Sequence, residues 1–233
     1  MVWIINQLAD KFGSHAVLKG GMELRLVDCP RFTNDLDYTF IPFASKKEIK
    51  DRILEALREN PELDVSYAVN SKCIRYLVAQ GNLKVQVEVN VALECESQEM
   101  STSMLAKSKN QQGRMIRVMD FGTALAHKLA AWNERGLVRD LYDAYYLCVI
   151  LRAKPNMKVL KQRLARVESR KRGAKPITMS IDDFIEKLES IARDLTDDMV
   201  KNELRDYMRR EELPGLDRKI VGGISKVIEY LRA

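Results

Sequence analysis

Two aspartates separated by one residue, Asp35 and Asp37, open an apolar segment that ends at Phe40. The segment predicts a β-strand, on which alternate side chains share a face, so we expect both carboxylates on one side and Leu36 in the core. Two neighbouring carboxylates repel each other unless a divalent cation lies between them. The pair therefore predicts a site for Mg²⁺ or Mn²⁺, which take carboxylate oxygens together with the phosphates of a substrate.

A pair of glycines, Gly20 and Gly21, precedes the aspartates and follows a short apolar run. Glycine allows backbone N–H groups to approach an anion, and the start of the short helix predicted for residues 22–27 is positively polarised. Lys19 and Thr33 add a positive charge and a hydroxyl group. The order of glycine turn, short helix and paired carboxylates indicates a nucleotide site in which the turn and these two side chains bind phosphates.

A further acidic residue, Glu88, lies in a strand predicted for residues 83–93. Valines alternate with polar residues there, so one face of the strand is apolar and the other polar. The polar face is either exposed to solvent or part of the wall of an active site. Glu94 and Glu96 are alternative candidates for a third carboxylate, although the strand is ending where they occur.

Three motifs occur in a fixed order along the chain: KGGMELR, RFTNDLDYTF and HKLAAWNERGLVRDLYDAYYL. Together they resemble the AbiEii/AbiGii-type toxins of bacterial abortive-infection and toxin–antitoxin systems. That family belongs to the DNA polymerase β-like nucleotidyltransferase superfamily. The resemblance covers the first two thirds of the chain, and no motif of the family is recognised after residue 154.

The resemblance implies a metal-dependent enzyme that transfers a nucleoside monophosphate from an NTP to an acceptor hydroxyl. Asp35, Asp37 and Glu88 would be its catalytic, metal-binding carboxylates, because the superfamily carries a third carboxylate on a strand beside the first pair. The implied acceptor is RNA, in particular the 3′ end of tRNA, with growth inhibition as the outcome and an antitoxin protein as a partner. Two alternatives are a nucleotidyltransferase that modifies a protein or a small molecule, and a catalytically silent binding module.

The third motif implies that Lys128, Asp140 and Asp143 lie near the bound nucleotide. The predicted helices are compatible with this role, because Lys128 lies off the apolar stripe of its helix. Asp140 and Asp143, three residues apart, share a face at the start of the next helix. The alternative is structural, with a surface lysine and two aspartates that only favour the helix dipole.

The elements needed to position these residues predict an α+β fold, in which helices flank a small mixed sheet and a helical C-terminal lobe follows. We expect a nucleotidyltransferase domain at residues 1–119 and a helical domain at residues 120–233 that completes the nucleotide cleft. Periodicity predicts the following strands: 16–18, 35–40, 64–70, 73–79, 83–93 and 115–119. The corresponding helices are 1–12, one opened by a capping box at Ser45, 120–135, 139–151, 156–170, 180–192, 196–212 and 217–231. The polar stretch 94–112 predicts a loop or a marginal helix.

The net charge of +6 comes from the C-terminal part of the chain, where residues 152–175 contain ten basic residues and one acidic residue. This run is either a patch for a polyanion such as RNA or a solvated helix face. No apolar run approaches the ~20 residues that span a bilayer, and the N-terminus has no signal-peptide pattern. We therefore expect a cytoplasmic protein. The four cysteines are scattered without CxxC spacing and the chain has two histidines, so the sequence predicts no zinc site.

Overall fold

The first helix, α1 (Val2–Phe12), leads into β1 (Ala16–Lys19), which a glycine turn joins to the short helix α2 (Gly21–Arg25) and then to β2 (Asp35–Phe40). This confirms the predicted order of strand, glycine turn, helix and strand. The computed structural model describes residues 1–167 and 176–233. These residues form two compact units, Met1–Asp120 and Phe121–Ala233.

The first unit continues with α3 (Lys50–Arg58), β3 (Asp64–Val69), β4 (Ile74–Gln80), β5 (Leu83–Val91), β6 (Ser97–Ser101), α4 (Ser103–Lys107) and β7 (Met115–Met119). The strands of this unit form a mixed sheet in the order β3-β4-β5-β2-β1-β7-β6. Two neighbouring pairs, β1 with β7 and β2 with β5, are parallel, and the other pairs are antiparallel. The predicted α+β fold is confirmed.

One face of the sheet is covered by α1 and α3 and forms the core of the unit. Leu36 of β2 and Val87 and Val89 of β5 are completely buried there. The predicted capping box is present, with Ser45 and Glu48 bonding each other's backbone before α3. Because side chains alternate along a strand, burial of the apolar set places the polar residues of β2 and β5 on the opposite face.

The strand β6 is a correction to the expected loop or marginal helix at residues 94–112. Its sequence is polar, and Met100 is its main apolar contribution to the core. The strand forms because its backbone pairs with β7, from Ser97 opposite Met119 to Ser101 opposite Met115. As an edge strand it can remain polar, so hydrophobic alternation does not reveal it.

The described part of the second unit is helical, with α5 (Phe121–Arg135), α6 (Val138–Tyr145), α7 (Met157–Leu164), α8 (Ile181–Asp194), α9 (Asp197–Leu204) and α10 (Leu216–Arg232). A π-helical turn, Tyr146–Ile150, extends α6. Leu125, Leu129 and Trp132 of α5 are buried, which confirms the predicted apolar stripe. Gly136, with φ of +68°, separates α5 from α6 as expected.

Two helix predictions for this unit differ from the structure. The helix expected at residues 196–212 ends at Leu204, and a separate 3₁₀ turn, Arg210–Glu212, follows. Beyond the end of the helix, the hydroxyl of Tyr207 accepts a hydrogen bond from the side chain of Arg139 (3.1 Å), a tertiary contact that local propensity does not encode. The helix expected at residues 156–170 ends at Leu164. Residues 168–170 of that helix, and residues 168–175 of the basic run, lie outside the described residues.

In residues 1–167 and 176–233, no helix has the length and apolar character needed to cross a lipid bilayer.

Two adjacent glycines of α10 provide matched positions for a stability measurement. A Cβ atom at Gly223 would lie 2.8 Å from Tyr145 Cβ, whereas a Cβ at Gly222 would meet no atom within 4 Å. We predict that Gly222→Ala raises the free energy of unfolding by about 0.5–1 kcal/mol, because alanine favours the helix. Gly223→Ala should lower it by about 1–3 kcal/mol through overpacking. Urea unfolding measures both changes, and equal stability of the two variants would contradict close packing of α10 on Tyr145.

Candidate active site

The pairing of β1, β2 and β5 places three charged residues side by side on the sheet face opposite α1 and α3. Lys19 of β1 pairs in register with Asp37 of β2, and Asp37 pairs in register with Glu88 of β5. Asp35 follows on the same face, because it lies two residues before Asp37. One side of the sheet therefore carries a lysine and three carboxylates within three adjacent strands.

The glycine turn lies against this row of charges. Gly20 has a φ of +78°, and a Cβ atom there would lie 2.6 Å from Asp37 Oδ2. A Cβ at Gly21 would lie 2.8 Å from a guanidinium nitrogen of Arg31 and 3.1 Å from Thr33 Oγ1. Side chains are excluded at both positions, so the backbone of the turn is held close to the carboxylate of Asp37 and to the hydroxyl of Thr33.

Thr33 also positions the start of β2. The backbone N–H of Asp35 donates to Thr33 Oγ1 at 3.3 Å, which ties the hydroxyl to the first of the paired aspartates. Arg31, which sequence reasoning did not single out, is buried (6% exposed) and donates to the carbonyl of Phe32. Its position two residues before Thr33, inside the second motif, is the signal that could have identified it.

Glu88 is held by cross-strand partners. Its Oε1 accepts hydrogen bonds from the Nη2 of Arg75 on β4 (2.7 Å) and from the amide of Gln86 (3.0 Å). The side chain is 26% exposed, intermediate between a core residue and a freely solvated one. The alternative carboxylates, Glu94 and Glu96, lie after the end of β5 and are exposed.

The carboxylates have the donor chemistry that Mg²⁺ or Mn²⁺ requires. Among residues 1–167 and 176–233, no three His, Cys, Asp or Glu side chains are grouped closely enough to hold a metal ion together. The side chain of Glu88 is directed to Arg75. Asp35 and Asp37 match the one or two carboxylates that Mg²⁺ takes from a protein, so the residues present fit such an ion.

The third motif forms two ion pairs within the second unit. Lys128 Nζ on α5 lies 2.6 Å from Asp143 Oδ2 on α6, with the lysine side chain 16% and the aspartate side chain 1% exposed. Asp140 is completely buried and accepts two hydrogen bonds from the guanidinium of Arg135. The structural alternative, a surface lysine and two aspartates that only favour the helix dipole, leaves out these buried ion pairs. That the three residues lie near a bound nucleotide stays a prediction.

The start of α6 is stabilised by a residue that sequence reasoning did not single out. Glu203 of α9 accepts hydrogen bonds from the backbone N–H groups of Val138 (2.8 Å) and Arg139 (2.9 Å). A carboxylate at this position accepts hydrogen bonds from backbone N–H groups that have no partner within the helix. Its negative charge also interacts favourably with the positive end of the helix dipole. The helix that carries Asp140 and Asp143 is thus fixed at its first turn. The cleft expected between the two units stays a prediction.

The α+β fold has a mixed sheet with carboxylates and a glycine turn on one face, and these features define a nucleotidyltransferase fold. Comparison with known proteins agrees with this assignment. The profile of the family described as "Nucleotidyl transferase AbiEii toxin, Type IV TA system" matches residues 4–221. The chain belongs to this family and is a nucleotidyltransferase of a toxin–antitoxin system. The match confirms the resemblance inferred from the three motifs and extends beyond residue 154.

Two solved structures from Helicobacter pylori share the fold. JHP933 superposes with a TM-score of 0.53 at 18% sequence identity, and the match covers 98% of this chain and 89% of that one. A second structure, of a candidate nucleotidyltransferase, superposes with a TM-score of 0.55 at 18% sequence identity. The match covers 98% of this chain and 92% of that one. No functionally curated protein matches the sequence.

Proposed function

We propose that the protein is a metal-dependent nucleotidyltransferase that transfers a nucleoside monophosphate from an NTP to an acceptor hydroxyl. The observation that carries the proposal is the register of β1, β2 and β5, which places Lys19, Asp37 and Glu88 in one row beside the Gly20 turn. Phosphoryl transfer requires charge neutralisation and positioning more than a covalent nucleophile. A row of carboxylates beside the Lys19 ammonium and the backbone N–H groups of the glycine turn supports this chemistry.

Asp35 and Asp37 would hold Mg²⁺ or Mn²⁺, and Glu88 would join them when its carboxylate leaves Arg75. The ion would supply a Lewis acid that neutralises phosphate charge. The paired positions of Glu88 and Asp37 on adjacent strands support a shared ion.

In the proposed reaction the oxygen of the acceptor hydroxyl attacks the α-phosphorus of the NTP. A new P–O bond forms, the bond to the bridging oxygen breaks, and pyrophosphate leaves. Glu88 would take the proton of the attacking hydroxyl. Near the phosphates, Lys19 would supply a charge and Thr33 a hydroxyl, and Gly20 and Gly21 would offer backbone N–H groups.

The second unit would contribute Lys128 as a further phosphate ligand. Asp143 holds the Lys128 ammonium in place, and Asp140 does the same for the Arg135 guanidinium. Because both aspartates are buried, we assign them to positioning these cations rather than to direct contact with the nucleotide. This assignment refines the role that the family resemblance implies for the two carboxylates.

We propose RNA, in particular the 3′ end of tRNA, as the acceptor, and an antitoxin protein as the partner that controls the enzyme. The basic excess of residues 151–233, twenty basic against fourteen acidic residues, supports a polyanionic acceptor. A protein or small-molecule acceptor would require the same chemistry, and a silent binding module would not require three acidic residues on one sheet face.

The function can be tested by incubating the purified protein with each labelled NTP in turn, together with tRNA, total protein or neither. We expect label in tRNA, release of pyrophosphate, and loss of both on addition of EDTA. Label found in protein alone would show that the acceptor is a protein and not RNA. Transfer that EDTA does not reduce would contradict metal dependence. No transfer with any acceptor would support the binding module.

Replacement of Glu88 by glutamine is predicted to reduce the transfer rate at least about tenfold, because it removes the charge for metal binding and the proton acceptor. Glutamine retains the size and hydrogen-bonding ability of the side chain, so the sheet should remain folded. Glu62→Gln, at an exposed position before β3, serves as the control. A smaller loss in the Glu88 variant would assign the third carboxylate to Glu94 or Glu96.

A further inference from the structure

We propose that a groove on the second unit binds a single-stranded segment of RNA. The groove has a volume of about 620 Å³ and lies between the π-helical turn and α10. Its lining consists of Tyr145, Cys148, Val149, Arg152, Lys219, Gly222, Lys226 and Tyr230. The proposal rests on the proposed function, because it gives the RNA acceptor an attachment site outside the row of carboxylates.

The two glycines of α10 shape this groove. At Gly223 the helix packs so closely on Tyr145 that no Cβ atom fits, which brings α10 onto the end of α6. At Gly222 a Cβ atom would enter open space, so the absence of a side chain keeps the groove open. A groove of this size lies within the range of ordinary ligand sites, about 300–1,000 Å³.

The charged residues of the lining are all cations. Arg152 and Lys219 are exposed, and neither forms an ion pair with any residue in the described part of the chain. Lys226 pairs with Glu229 at 2.6 Å, and this hydrogen bond raises the pKa of the lysine. The groove therefore offers two cations that pair with no acidic residue in the described ranges and would be neutralised by an anion.

The lining of the groove also contains aromatic and apolar groups. Tyr230 has the ammonium groups of Lys154 and Lys226 at 5.8 and 5.2 Å from its ring centroid, so cations flank an aromatic surface. Burial raises the pKa of the Cys148 thiol to about 11, so the thiol remains neutral at physiological pH. Val149 is 39% exposed and adds apolar surface.

Single-stranded RNA matches this combination. Unpaired bases present flat apolar faces that stack on aromatic side chains, while cations contact the adjacent phosphates. In a duplex the bases are stacked on each other and cannot reach the tyrosines. An acidic protein segment would satisfy the cations and leave the apolar surface uncovered, so RNA is the occupant favoured by the lining.

The test is fluorescence anisotropy of a short labelled single-stranded RNA, without NTP or divalent ion, at several salt concentrations. We expect Arg152→Glu combined with Lys219→Glu to weaken binding at least about tenfold and to reduce the salt slope by about 1.4, for two lost contacts of about 0.7 each. Gly222→Leu should also weaken binding about tenfold, because it fills the groove without changing the charge.

Two controls separate this site from general electrostatics and from the transfer reaction. Arg193→Glu with Arg205→Glu reverses two exposed cations outside the groove and should leave the affinity within about twofold of the original. Asp35→Ala should bind RNA normally although it transfers nothing. An equal loss of RNA affinity in the control variant, tighter binding of a duplex, or preferential capture of a polyglutamate peptide would overturn the proposal. Normal RNA binding with no transfer by the unmodified protein would overturn only the enzymatic function.

Discussion

Asp37→Ala is expected to abolish nucleotide transfer, with a loss of at least about a thousandfold, equivalent to about 4 kcal/mol of transition-state stabilisation. Asp37 is adjacent in register to both Lys19 and Glu88, and its carboxylate is the group that the Gly20 backbone approaches. Asp35→Ala should have a comparable effect, because the pair would share the metal. Growth inhibition on expression should disappear with transfer.

The fold should tolerate these substitutions. Asp35 is exposed and Asp37 is half-buried, and removing either carboxylate reduces repulsion within the pair. The measurement is the rate of label transfer from NTP to RNA, with circular dichroism to verify folding. Asp64→Ala is the matched control, since Asp64 is also an exposed aspartate at the first position of a strand. Undiminished transfer by either site variant would refute the proposed mechanism.

Asp143→Ala is expected to lower the free energy of unfolding by about 3–5 kcal/mol, because it leaves the Lys128 ammonium in a partly buried site without its carboxylate. The two side chains are separated by 2.6 Å and are 1% and 16% exposed. Lys128→Met combined with Asp143→Leu should recover most of the stability, since an apolar pair can replace a buried ion pair at little cost. Urea unfolding of the three proteins gives the comparison.

The double variant also separates the structural role from the functional one. If Lys128 binds a phosphate, Lys128→Met with Asp143→Leu will be stably folded and will have a raised KM for the NTP. If the pair only stabilises the second unit, restored stability will restore transfer as well. A surface pair, Lys201 with Asp197, provides the control, because replacing an exposed i,i+4 pair should change stability by less than about 1 kcal/mol.

Local pattern in the sequence was sufficient for the elements that carry the site. Alternation along residues 35–40 and 83–93 correctly assigns Leu36, Val87 and Val89 to the core, because a strand has a period of two and one face must exclude water. The glycine pair predicts the turn, since a φ of +78° at Gly20 is costly for other residues. Three motifs in a fixed order also identified the family, which the profile match confirms.

The tertiary structure decided which side chains meet. Parallel pairing of β2 with β5 and antiparallel pairing of β5 with β4 set Glu88 between Asp37 and Arg75, and nothing in the local sequence specifies the order of strands in a sheet. The polar strand β6 forms a strand by pairing its backbone with β7. Asp140 and Asp143 have the pattern of a solvated helix start, yet both are buried, because the cations that neutralise them come from the preceding helix. Burial of charge depends on such partners, which the fold supplies and local periodicity does not encode.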